Sequence, residues 1–68
     1  MNDEAFNLSL RKFLKTFGVT AQREIEEAVR AAIAAGRLRG DEVLHAHATM
    51  RIAEAGLEHD VEGEITLS

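Results

Sequence analysis

The chain has 68 residues, eight basic and twelve acidic, for a formal net charge of −4, and it contains no Cys. That length admits one small domain, residues 1–68. The missing thiols exclude disulfides and thiolate zinc sites, and the acidic balance argues against general nucleic-acid binding, which needs clustered Lys and Arg.

Hydrophobic residues make up 46% and charged residues 29%, values of a globular chain rather than a disordered one. No run of 18 apolar residues could span a membrane. The opening Met1-Asn2-Asp3-Glu4 is acidic and lacks the apolar segment of a signal peptide, so a cytoplasmic protein is expected. At this size one hydrophobic core rarely supplies more than roughly 3–5 kcal/mol. Without disulfides, the expected remedy is self-association or a protein partner. Charge is also uneven. Residues 1–40 are mildly basic, whereas residues 41–68 carry seven acids against the single Arg51.

The first predicted helix covers residues 3–17. Phe6, Leu10, Phe13, Leu14 and Phe17 form one stripe at helical spacing. Asn2 or Asp3 can cap its start, and Gly18 suits a left-handed C-terminal position. Thr20 then reads as the cap of a second helix over residues 21–35. Its apolar face is Ile25, Ala28, Val29, Ala32 and Ile33, and Gly36 closes it. With only Gly18 and Val19 between Phe17 and Thr20, a helix-turn-helix-like pair is expected.

Beyond the polar connection 36–43 the period switches from 3.6 to 2. Leu44, Ala46, Ala48, Met50 and Ile52 alternate with polar residues over 44–53, as do Leu57, His59, Val61, Gly63, Ile65 and Leu67 over 57–67. Two half-buried strands in a β-hairpin follow. Parity requires paired residue numbers to sum to an odd value. An Ala55-Gly56 turn gives a sum of 111, with Met50 opposite Val61 and His47 opposite Glu64; a four-residue loop in the same register is the other option. The expected fold is therefore α+β, in the order α-α-β-β, with the helix pair packed on the hairpin.

The segments Ala5-Phe6-Asn7-Leu8-Ser9-Leu10-Arg11-Lys12-Phe13-Leu14-Lys15, Gly18-Val19-Thr20-Ala21-Gln22-Arg23-Glu24-Ile25-Glu26, Gly56-Leu57-Glu58-His59 and Val61-Glu62-Gly63-Glu64-Ile65 carry a resemblance. On them the chain resembles a small bacterial family of single-domain proteins of unknown function. The resemblance spans nearly the whole chain and implies no reaction, ligand or site.

Candidate chemistry is sparse. His45 and His47 share a strand face with Glu64, two imidazoles and a carboxylate that zinc accepts in other settings. A solvent-facing cross-strand cluster is the plainer reading, because a firm third or fourth ligand is missing. His59 falls on the apolar face. Glu58, Asp60, Glu62 and Glu64 form a carboxylate stripe suited to a basic partner, with no cleft to split their pKa values for acid–base catalysis. No nucleophile elbow or phosphate loop is present, so no enzyme and no cofactor are expected. Leu8 lies about 200° around its helix from Phe6 and is a candidate contact.

The expected function is a small self-associating protein-interaction module, with a homo-oligomer or an unidentified protein as partner. The alternative is winged-helix-like nucleic-acid binding through Arg11, Lys12, Lys15, Arg37 and Arg39. Glu58, Asp60, Glu62 and Glu64 on the would-be wing oppose it, since they repel phosphate.

Overall fold

The computed structural model describes all residues, Met1–Ser68. It contains one long helix, α1 (Asp3–Ala34), and two antiparallel strands, β1 (Val43–Ile52) and β2 (Leu57–Thr66), joined by a 3-10 turn over Ala53–Ala55. The order is α-β-β, not the expected α-α-β-β. The chain divides into two units, Met1–Arg37 and Leu38–Ser68.

The ends of α1 follow from local chemistry. Asn2 is the N-cap, and its Oδ1 accepts the Ala5 N–H at 3.0 Å. Asp3 and Glu4 fill the first turn, where the helix dipole favours negative charge. At the far end Gly36 takes φ 80°. Its N–H donates to the Ile33 carbonyl at 3.1 Å, and the Arg37 N–H donates to the Ala32 carbonyl at 2.9 Å. This is a Schellman ending, which needs the left-handed residue that glycine supplies.

The break expected at Gly18-Val19-Thr20 does not occur, so the predicted helices 3–17 and 21–35 are one element and the helix-turn-helix-like pair is withdrawn. Gly18 has no positive φ. Thr20 does not cap a new helix; its Oγ1 donates back to the Thr16 carbonyl at 2.8 Å. Ser9 does the same toward the Ala5 carbonyl at 2.9 Å. One interior glycine costs about 1 kcal/mol. Breaking the helix would abandon the paired backbone groups on both sides and expose two new ends. With no proline in the chain, nothing forces that break.

Continuity joins the two apolar stripes into one. Phe6, Leu10, Leu14, Phe17, Ala21, Ile25, Ala28 and Ala32 recur at steps of four, four and three. Three turns in eleven residues is close to the natural helical period, so the stripe runs nearly straight along the helix. Its N-terminal half is bulky and its C-terminal half is mostly alanine.

In the second unit the strands pair with sums of 109, from Val43 opposite Thr66 to Ile52 opposite Leu57. The expected Ala55-Gly56 turn and its sum of 111 are thus corrected by two residues. The actual loop is Ala53-Glu54-Ala55-Gly56, closed by the Gly56 N–H on the Ala53 carbonyl at 3.0 Å, with Gly56 at φ 64°. A slip of two leaves every side chain on its expected face. Leu44, Ala46, Ala48, Met50 and Ile52 therefore still share a face with Leu57, His59, Val61, Gly63 and Ile65.

The entry to β1 is held by Glu42. Its carboxylate accepts the N–H groups of Arg39 at 2.8 Å and Gly40 at 3.0 Å. Its backbone carbonyl accepts the Leu67 N–H at 3.0 Å, extending the ladder by one step. The two backbone donors lower the Glu42 pKa below its ordinary 4.5.

The expected two-helix layer does not form, because α1 is a single helix, and no residue in either unit is buried.

Candidate functional site

The most polar constellation lies on the outer face of the hairpin. Alternation places His45, His47, Thr49 and Arg51 on one side of β1 and Glu58, Asp60, Glu62 and Glu64 on the same side of β2. The register sets His45 opposite Glu64, His47 opposite Glu62, Thr49 opposite Asp60 and Arg51 opposite Glu58. Each basic or hydroxyl side chain thus faces a carboxylate, the arrangement that favours an antiparallel pair.

The bonds are few and exposed. Thr49 Oγ1 donates to Asp60 Oδ1 at 2.7 Å, and His47 Nε2 lies 3.3 Å from the same oxygen. Arg51 reaches Glu58 at 3.5 Å. Ion pairs this open to water contribute little to stability. Their value is in fixing which strand faces which.

Between them is an open groove of about 480 Å³, lined by His45, Ala46, His47, Glu62, Gly63 and Glu64. The paired Ala46 and Gly63 form its floor, because their alternation sends no side chain to this face. The candidate ligands His45, His47 and Glu64 all border the groove. They do not converge on a point: no group of three or more His, Asp or Glu side chains is placed to hold a metal ion. The His47 ring is instead turned to Asp60, not to the Glu64 that the 111 register had set opposite it.

The other interaction candidates are exposed where the sequence put them. Leu8 is 68% exposed on α1, away from the apolar stripe. Glu58, Asp60, Glu62 and Glu64 line the outer face of β2. His59 pairs with Met50 on the other face.

A surface that the two-helix reading divided is the stripe on α1. Phe6, Leu10, Phe13, Leu14, Phe17 and Ile25 are each 39–52% exposed. The eleven-residue spacing was the signal for it, masked by Gly18. The N-terminal half of α1 carries Arg11, Lys12 and Lys15 after Asp3 and Glu4, and the C-terminal half mixes Glu24, Glu26 and Glu27 with Arg23 and Arg30. No helix is long and apolar enough to cross a membrane.

A family model matches residues 1–68, and its description is a family of unknown function, DUF6494. No curated protein matches the chain, and no solved structure does.

Proposed function

The chain belongs to that family of unknown function, and we propose that it works as a small self-associating protein-interaction module. The observation that carries this reading is the burial pattern: no residue in the chain is buried, while the helix keeps an apolar stripe open along its whole length. Helix stability in proteins comes mostly from packing an amphipathic face. A lone two-stranded sheet is marginal in water for the same reason. Both units therefore ask for a partner surface, and a second copy of the chain supplies one at no further cost in sequence.

The winged-helix alternative loses its support, since α1 is continuous and offers no turn to set a recognition helix. The acidic outer face of the hairpin adds repulsion toward phosphate.

Sedimentation equilibrium over a wide concentration range tests the reading. The expected mass is at least twice 7.5 kDa, falling only on dilution. A mass of 7.5 kDa at every concentration overturns it.

A further inference from the structure

We propose that two copies of the chain associate edge to edge through β1, antiparallel about a twofold axis at His47, to form a four-stranded sheet ordered β2-β1-β1-β2. This rests on the self-association just proposed and adds its surface and its register.

The phase of the ladder identifies which backbone groups are free. The Leu67 N–H donates to the Glu42 carbonyl, one step beyond the pair Val43 and Thr66. Bonded and non-bonded pairs alternate along an antiparallel ladder. Leu44, Ala46, Ala48, Met50 and Ile52 therefore bond to β2. Val43, His45, His47, Thr49 and Arg51 turn their N–H and C=O groups the other way, to the open edge. On β2 the outward groups belong to Glu58, Asp60, Glu62, Glu64 and Thr66.

The sheet has only these two strands, so both edges are open, and they differ in charge. The β2 edge carries a carboxylate at every outward position but Thr66. Pairing two β2 edges about the middle position, Glu62, sets Glu62 against itself and Asp60 against the partner's Glu64. Like charges directly opposite destabilise such a pair. The β1 edge carries no carboxylate. An axis at its middle position, His47, sets His45 opposite the partner's Thr49 and Val43 opposite the partner's Arg51. No acid meets an acid, and the one arginine meets an apolar residue. On the apolar face Leu44 comes beside the partner's Met50, and Ala46 beside the partner's Ala48.

Closure selects β1 with β1. A β1 edge paired with another copy's β2 leaves a free edge at each end and grows without limit. Pairing β1 with β1 stops at two copies, because no free β1 edge remains. The carboxylate-bearing β2 strands then lie outermost, where charged side chains guard an edge. The sheet passes from two strands, marginal by themselves, to four with one broadened apolar face.

Amide hydrogen exchange, followed by nuclear magnetic resonance on the full-length isotope-labelled chain, tests this at a concentration where sedimentation gives twice 7.5 kDa. In a lone hairpin the even-numbered amides of β1 are the protected ones. In the proposed dimer the amides of His45, His47 and Thr49 join them, slowed at least about tenfold relative to those of Asp60, Glu62 and Glu64. His47→Pro is the second arm. It removes one outward N–H and leaves the bonds to β2 in place, the position that proline tolerates in a strand. Its expected mass is 7.5 kDa, with the Ala46 and Ala48 amides still protected. Glu62→Pro, on the other edge, should keep the dimer mass. Should His47→Pro lose the Ala46 and Ala48 protection, the exchange pattern of the unsubstituted chain decides alone.

A dimer whose His45, His47 and Thr49 amides exchange as fast as those of the β2 edge overturns the proposal, while self-association stands. Masses beyond two copies with both edges slowed mean β1 against β2 and overturn it too. A mass of 7.5 kDa at every concentration overturns both this proposal and the reading beneath it.

Discussion

Gly18→Ala separates a continuous helix from a broken one by the sign of its effect. Gly18 has no positive φ and sits in mid-helix. A Cβ built on it meets nothing within 4 Å. No clash offsets the gain, so the helix-propensity difference of about 1 kcal/mol applies nearly in full. That is roughly a fivefold rise in the folding equilibrium constant. Urea melts followed by circular dichroism at 222 nm, at one fixed protein concentration, measure it. Concentration is held because association by itself shifts apparent stability. If Gly18 were instead a left-handed cap between two helices, alanine there would destabilise by about 1 kcal/mol or more. A lowered midpoint at unchanged slope would therefore refute the single helix.

Gly56→Ala should act the other way. The space is again open, but φ is 64°, so the alanine costs about 1–2 kcal/mol, read as weakened cross-strand amide protection in the hairpin. Asn2→Ala removes the acceptor for the Ala5 N–H and should cost about 1 kcal/mol of helix stability, visible in the same urea melts, whereas Asn2→Asp should cost little. Glu42 gives a pH dependence. Its folded pKa lies below its ordinary 4.5, so its contribution is present above that value and is lost as pH falls through the folded pKa. Amide chemical shifts of Arg39 and Gly40 should move together in that acid range. In Glu42→Gln the shared titration should vanish; a titration that persists would show that another group holds the loop.

Much of this protein is legible from local rules. The N-terminal cap, narrowed to Asn2 or Asp3, the helix end at Gly36 and the period of 2 beyond residue 43 each depend on a few neighbouring residues, and the structure settles the cap on Asn2. The strand faces were also readable, because parity fixes them whatever the loop length. The register was not. Moving from an Ala55-Gly56 turn to the four-residue loop Ala53–Gly56 changes every partner while leaving both faces intact, so the hydrophobic pattern is blind to it. The observed register sets Thr49 opposite Asp60, His47 turns to that same carboxylate, and no three side chains gather around a metal position. Gly18 is the other case. Taken locally, a glycine after a helical stripe and before a threonine reads as an ending. Only the whole helix shows that the hydrogen bonds running through it outweigh the propensity of one residue. Composition, periodicity and caps thus set the elements by themselves. The loop register and the unbroken helix were decided by long-range pairing and cooperativity, which no short window of sequence contains.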